Sequence, residues 1–313
     1  MPSSEGRDFC VVARPDSREL AAMMWSRLGL GAGQLGADGL SESEAERLVA
    51  AAIDSGITLF DTARGYGASE ERLGRILRGR RHDVVLVTKV GYGIPETPDW
   101  TYDCVARGVD AALRRLATDC LDVVLLHSCD QTILARGECT QALHDAKAAG
   151  KLRAVGYSGE GDPLRFALHS DAFEVLECSI NLCDQRIYDE VLPLAAARGR
   201  RVLAKRPLAN APWRYAECPV GQYAEEYFWR YTTMLRDDAS RRDLLGDHDP
   251  AEVALRFSAF APGVTTALLG TTRIEHLQAA AQALAQGPLP AAMLRAWRHR
   301  FAACDPGWWV GQV

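Results

Sequence analysis

The stretch Gly56-Ile-Thr-Leu-Phe-Asp-Thr-Ala-Arg-Gly-Tyr-Gly-Ala-Ser-Glu70, closed by Glu71-Arg-Leu-Gly74, reads as a strand, a loop and the start of a helix. Ile57–Phe60 is short, apolar and rich in β-formers, and it runs into Asp61. Gly-flanked Tyr66 follows on the loop. A helix then opens at Ser69 with Glu70 and Glu71 in its first turn. An acid at a strand end and a tyrosine on the next loop are aimed at one cleft. Tyrosine, with an ordinary pKa of about 10, serves as a proton donor when a neighbour lowers that value.

Working outward, two more apolar runs end on functional groups: Val84-Val-Leu-Val-Thr88 delivers Lys89, and Asp122-Val-Val-Leu-Leu126 delivers His127. Five further runs complete a set of eight: Arg27–Leu30, Arg153–Ser158, Val175–Asn181, Val202–Lys205 and Thr266–Gly270. Helical patterns lie between them. Ser41 and Glu44 form a capping box before Ala45, Leu48, Val49, Ala52 and Ile53. Val105, Val109, Leu113 and Leu116 make a second stripe, Asp162-Pro163 reads as an N-cap followed by a first-turn proline, and Gly150 and Gly199 read as helix stops. Eight strands alternating with helices predict an α/β fold, a single-domain (β/α)8 TIM barrel. A doubly wound sheet is the alternative, but Gly29-Leu-Gly31-Ala-Gly33 lacks the continuation of a dinucleotide turn. Those glycines fit close packing better.

The barrel is expected over 25–313, with a long loop after strand 7, a C-terminal extension, and an N-terminal segment at 1–24 of unassigned structure. The long loop, from Arg206 to about Thr265, carries Trp213, Tyr215, Tyr223, Tyr227, Phe228, Trp229 and Tyr231. An added helix packing its aromatics on the rim and a lid over the substrate account for it equally well. Trp308 and Trp309 either fold over the mouth or anchor the tail.

The 313 residues carry a net charge of −5, with 48% hydrophobic and 25% charged residues. That composition suits a globular protein and gives no basis for nucleic acid or an anionic membrane as partner. The nine cysteines contain no CxxC, and nothing beside Cys178 and Cys183 completes a zinc set, so no metal is expected. No apolar run approaches the ~20 residues of a membrane span. With no leader read at the N-terminus, a reducing cytoplasm is the expected location.

In a parallel barrel Asp61, Lys89 and His127 project at one C-terminal face, where barrels keep their chemistry. Asp61 pairs the buried ammonium of Lys89, that ammonium favours the Tyr66 phenolate, and His127 can donate to a substrate oxygen. Singly, each has a plainer role: a capping Asp, a solvated Lys, a structural His. Their arrival together on successive strands argues against coincidence.

Phe60-Asp-Thr-Ala-Arg-Gly-Tyr-Gly-Ala-Ser-Glu70 with Leu73-Gly74 closely resembles the signature of the aldo-keto reductases, and Lys89 and His127 match that family's other catalytic positions. The similarity runs in order from about residue 25 to 286. It implies NADPH bound in an extended form, preferred over NADH, and a small carbonyl, alcohol or sugar as substrate. In that reading Asp61, Tyr66, Lys89 and His127 are catalytic. Tyr66 is the general acid in reduction and base in oxidation, tuned by Lys89 and Asp61, while His127 orients the carbonyl and the cofactor supplies hydride.

Gly270-Thr271-Thr272-Arg273 opens a helix and suits a phosphate, which the resemblance assigns to the adenosine 2′-phosphate. Pro207-Leu208-Ala209-Asn210 resembles the loop that meets the pyrophosphate. Gly33, Ser158, Glu177 and Lys205 complete the expected cofactor contacts. Several positions depart from the family pattern. Gly159 follows Ser158 where Asn is common, Glu177 replaces a carboxamide-binding glutamine, Ile180 replaces a tyrosine, and Ala279-Ala280 replace Glu-Asn. An unpaired, ionised Glu177 beside the nicotinamide would favour its oxidised form; Lys205 and Arg206, on the next strand, are the cations read as able to neutralise it. Two rivals come from other classes: a cofactor-binding regulatory protein with little turnover, and a lyase forming a Schiff base on Lys89.

Overall fold

The computed structural model describes residues 23–312. Nearly all of the predicted 1–24 segment lies outside them. Eight parallel strands close into one barrel in sequence order: β1 (Leu28–Gly31), β2 (Leu59–Asp61), β3 (Val85–Val90), β4 (Leu121–His127), β5 (Leu152–Ser158), β6 (Val175–Ser179), β7 (Arg201–Lys205) and β8 (Val264–Gly270). All eight expected strands are present, with ends displaced by a residue or two. β6 stops before Asn181 because that side chain turns the backbone instead, accepting from Cys183 N at 2.8 Å.

Alternation along the strands explains the core. Leu59, Val85, Val87, Val123, Leu125, Ala154, Val175, Leu203 and Leu268 form a cluster inside the barrel. Their alternates, among them Leu30, Phe60, Leu86, Val124, Leu126, Val155 and Leu176, join the larger cluster under the helices. Carrying the inward period of two to the strand ends reaches Asp61, Lys89, His127, Ser158, Glu177 and Lys205. The functional residues are thus the top layer of the inner face. Gly29 fits the close-packing reading, since a Cβ there would meet Thr266 Cγ2 at 2.8 Å.

The outer helices are α1 (Glu42–Asp54), α2 (Ser69–Ile76), α3 (Tyr102–Arg115), α4 (Gln131–Arg136), α5 (Glu138–Ala148), α6 (Gly161–His169), α7 (Ile187–Glu190), α8 (Leu192–Ala197), α9 (Glu225–Met234), α10 (Asp238–Leu245), α11 (Pro250–Ala259), α12 (Ile274–Ala285) and α13 (Ala291–Cys304). The Ser41–Glu44 capping box closes α1 in both directions. Asp162 is not the N-cap of α6, which begins at Gly161; the preceding Glu160 turns its carboxylate into the barrel instead. The connection after β7 is mostly helical rather than loop, holding α9, α10 and α11. Tyr227, Tyr231 and Met234 pack with Trp297, Phe301 and Trp309 in a second core. Packing therefore accounts for most of those aromatics, while Tyr223 and Trp229 are exposed at 75% and 57%. No helix among the described residues is long and apolar enough to cross a membrane.

Candidate functional site

The loop between β2 and α2 is held by the residues that surround Tyr66. Ser69 Oγ lies 2.8 Å from Thr62 Oγ1 and donates to the Ala32 carbonyl, tying the β2 loop to the segment after β1. Arg72 donates to the carbonyls of Leu35, Ala37 and Leu40 in that same segment. Glu70 accepts from Thr88 Oγ1 at 2.6 Å and from Arg115 at 2.5 Å, fixing α2 to β3 and α3. The backbones meet at Gly36, where a Cβ would fall 1.6 Å from the Tyr66 carbonyl oxygen; only glycine allows that approach. Gly33 faces the Tyr66 ring, 3.8 Å from where its Cβ would lie.

At the centre is Lys89, 1% exposed. Its Nζ donates to Asp61 Oδ1 and Oδ2 at 2.5 and 2.6 Å and to the Thr62 carbonyl at 3.2 Å. Glu177 Oε2 lies 3.4 Å from the same nitrogen, an ion-pair distance, yet accepts no hydrogen bond; Ser158 Oγ donates to Glu177 Oε1 at 3.0 Å. One ammonium thus serves two buried carboxylates. Burial alone would favour the neutral amine, but Asp61 and Glu177 outweigh it and raise the Lys89 pKa. Burial, and then the Glu177 charge, push Asp61 well up against Lys89's pull. Glu177 is held down despite burial by Lys89 and then Lys205.

Lys205, read as able to neutralise Glu177, does help hold its carboxyl down, but among the described residues neither it nor Arg206 forms an ion pair with Glu177. Lys205 Nζ pairs with Glu160 Oε1 at 3.2 Å, and that oxygen also accepts from Ser179 N and Oγ at 2.8 Å each. Arg206 donates to Ser179 Oγ at 3.2 Å and to the Gln312 carbonyl. The cation beside Glu177 is Lys89, from across the barrel lumen, so the unpaired Glu177 considered above is not what the chain holds.

Lys89 Nζ lies 5.2 Å from the centre of the Tyr66 ring. Its charge is the strongest single influence on the phenol and lowers its pKa, as expected. Burial and the Asp61 and Glu177 carboxylates together exceed it, and the phenol rises to about 12. The expected drop is therefore reversed, chiefly by burial, with the Asp61 and then the Glu177 charge adding to it. Tyr66 is a fully protonated donor at neutral pH.

His127 stands edge-on to Tyr66, ring centres 5.9 Å apart, and its Nδ1 is 3.0 Å from Tyr92 Oη. Its Nε2 makes no hydrogen bond among the described residues. Burial, reinforced by Lys89, Lys205 and Arg206 against Glu177, depresses its pKa from 6.5 to about 3. Between those values the unfolded chain takes up a proton that the folded protein refuses, so this contribution to stability is lost as pH falls from 6.5 toward 3. At pH 5 the loss amounts to about 2 kcal/mol. His127→Gln should accordingly lose less stability than wild type between pH 7 and 5 in urea titrations. Identical losses would show that the imidazole is not held neutral.

The remaining predicted residues divide. Gly270 pairs with Gly31 in register, bringing the β8 end beside Gly33. Thr271 Oγ1 contacts His276 Nδ1 at 2.9 Å and accepts from Arg273 N at 3.1 Å, which shapes the turn before α12. Thr272 is exposed, and among the described residues the 65% exposed Arg273 side chain has Glu275, at 3.4 Å, as its acidic partner. Pro207 is buried, its carbonyl accepting from Ser258 Oγ, and Leu208 is half-buried. Asn210 is turned away, its side-chain amide donating to the Tyr223 carbonyl at 2.8 Å. Tyr92, Glu160 and Gly36 belong to the site and were not singled out from sequence. The glycines flanking Tyr92 were the available signal for the first.

An NADPH molecule fits much of this set. Among the described residues Glu177 Oε2 is a buried oxygen ion-paired with Lys89 but without a hydrogen-bond donor, a place for a carboxamide N–H, and Arg273 is a rim cation placed to meet a phosphate. Ala279 and Ala280 offer no polar group to an adenine. Among the described residues no cluster of His, Cys, Asp or Glu is placed to hold a metal ion.

A sequence model described as the Aldo/keto reductase family matches residues 27–299. The pyridoxal 4-dehydrogenase of Microbacterium luteolum is 31% identical over 311 residues, covering 80% of this chain and 87% of that protein. Aldo-keto reductase YhdN of Bacillus subtilis is 28% identical over 256 residues, 76% of this chain and 70% of that one. Among solved structures, the holo form of aldo-keto reductase AKR11C1 from Bacillus halodurans superposes with a TM-score of 0.75 at 26% identity, covering 88% and 92% of the two chains. An aldo-keto reductase from Klebsiella pneumoniae in complex with NADPH gives 0.70 at 26% identity, covering 92% and 95%.

Proposed function

The chain belongs to the aldo/keto reductase family and is an NAD(P)-dependent oxidoreductase, and from that premise we propose that it reduces an aldehyde or ketone with NADPH, or oxidises the corresponding alcohol or sugar. The observation that carries this reading is the convergence of Tyr66, Lys89, Asp61 and His127 at one end of the barrel. When bound, NADPH supplies the hydride. Tyr66 gives its phenolic proton to the carbonyl oxygen as negative charge develops there, and the Lys89 ammonium stabilises the phenolate left behind. Neutral His127 offers Nε2 to the same oxygen. Asp61 and Glu177 keep Lys89 charged. Microscopic reversibility gives the same residues to oxidation, with Tyr66 as base.

This electrostatics disfavours a Schiff-base lyase. A lysine nucleophile must be a neutral amine, and two carboxylates hold Lys89 as the ammonium. The test of the proposal follows nicotinamide absorbance with NADPH and NADH against a panel of aldehydes, ketones and aldoses. Tight NADPH binding with no turnover on any of them would favour the regulatory reading instead.

Preference for NADPH rests on Arg273. Its guanidinium, weakly engaged by exposed Glu275, is free to meet the 2′-phosphate with charge-assisted hydrogen bonds. Arg273→Met should raise the NADPH dissociation constant about 10- to 100-fold and change that for NADH by less than about twofold. Fluorescence titration of both nucleotides checks this, and equal weakening of the two would remove the phosphate role.

A further inference from the structure

We propose that Tyr92 is a positioning residue that sets the tautomer of His127 and thereby presents an Nε2–H to the substrate oxygen; the inference rests on the reductase reading above. Tyr92 sits on the loop that follows β3, with its hydroxyl 3.0 Å from His127 Nδ1 and its ring stacked on the imidazole at 5.5 Å and 28°. A neutral imidazole carries its proton on one nitrogen, and the hydrogen bond at the other decides which. Here the phenol is the donor. An unprotonated imidazole nitrogen is a stronger acceptor than a phenol oxygen. In the opposite arrangement the Tyr92 proton would have no acceptor among the described residues, while Nε2 would turn a lone pair toward a substrate oxygen that is itself an acceptor. The phenol donating to Nδ1 leaves the proton on Nε2, where a developing alkoxide needs it.

The surrounding backbone is built to hold that hydroxyl in place. Gly93 N donates to Asp99 Oδ1 at 2.8 Å, Trp100 N donates to the Gly91 carbonyl at 2.7 Å, and Arg64 donates to the Gly93 carbonyl. The Trp100 ring packs on Tyr92 with centres 5.7 Å apart. It occupies the space a side chain at Gly91 would need, at a φ of 135°. A Cβ on Gly65 would fall 2.7 Å from Tyr92 Oη, so glycine there leaves room for the hydroxyl to reach His127. Arg64 and Gly65 also belong to the loop that carries Tyr66, so the same contacts tie the Tyr66 and Tyr92 loops together around His127.

The experiment compares the full-length wild type with Tyr92→Phe, which keeps the stack and removes the hydroxyl. Nitrogen-15 NMR of histidine-labelled protein, with the His127 signal assigned from His127→Gln, should show protonated Nε2 and bare Nδ1 in wild type. Tyr92→Phe should show a mixture of tautomers. Its kcat on the best substrate of the carbonyl panel should fall about 10- to 100-fold, with the NADPH dissociation constant unchanged. Tyr92→Leu separates packing from hydrogen bonding: if Phe behaves as wild type and only Leu is impaired, the proposal is overturned. An unchanged tautomer in Tyr92→Phe overturns it equally. A wild type that turns over no carbonyl would count against the reductase reading, with the NMR response still deciding whether Tyr92 sets the tautomer.

Discussion

Tyr66→Phe is expected to lower kcat/KM for carbonyl reduction by about 100- to 10,000-fold while NADPH binds as before. Phenylalanine preserves the ring that stands edge-on to His127 and the tight backbone passage at Gly36. What it removes is the proton donor. Because the phenol is raised to about 12, wild-type Tyr66 stays protonated across neutral pH and its contribution to reduction is flat there. Oxidation needs the phenolate, whose fraction grows about tenfold per pH unit below the pKa, so the oxidative rate should climb with pH where the reductive rate does not. Steady-state rates in both directions over pH 6 to 9 check this. Loss of the oxidative slope in Tyr66→Phe would identify the titrating group. Full reductive activity in that variant would remove Tyr66 from the mechanism.

Lys89→Met should cost both stability and rate. Asp61 and Glu177 are buried around one ammonium, and removing it strands two carboxylates in a low-dielectric interior. Breaking such an arrangement from one side costs about 3–5 kcal/mol. Without the ammonium, burial raises the carboxylates' pKa values above those of the unfolded chain, and the variant recovers in part by taking up protons on them. A folded state that binds extra protons loses stability as pH rises. The deficit of Lys89→Met relative to wild type should therefore be largest near neutrality and shrink toward pH 4. Adding Glu177→Gln should restore part of the loss at pH 7. Urea titrations of the three proteins at both pH values decide it, and equal stability of Lys89→Met and wild type at pH 7 would contradict the geometry. Turnover should fall as well, since Lys89 is the strongest influence lowering the Tyr66 pKa.

The barrel was legible because two periodicities coincide. Val85 and Val87 face inward with Leu59, Val123 and Leu125, and the same period of two lands on Asp61, Lys89 and His127. A strand-end position in a parallel barrel thus reads directly as a place in the site. What escaped the sequence is contact across the lumen. Glu177 was matched with cations on the neighbouring strand, β7, but its ammonium comes from β3, on the far side of a closed sheet. The shift at Tyr66 also has the opposite sign to the one expected, because burial of the phenol, joined by the Asp61 and Glu177 charges, outweighs the pull of Lys89. Tyr92 has no periodic signature, because it lies on a loop and meets its partner 35 residues away. Glu160 carries no signal of its own in the sequence, and only the folded chain turns it inward to Ser179 and Lys205. The tail and the connection after β7 were visible as aromatic-rich segments, but their helices depend on the second core they build together.

The most direct test is isotope transfer. With NADPH deuterated at the transferable position of nicotinamide C4 and the fastest carbonyl of the panel, mass spectrometry should find one deuterium on the former carbonyl carbon of the wild-type product, and no product on the same timescale from Tyr66→Phe. A product without deuterium, or a substrate adduct trapped on Lys89 by borohydride, would contradict the account.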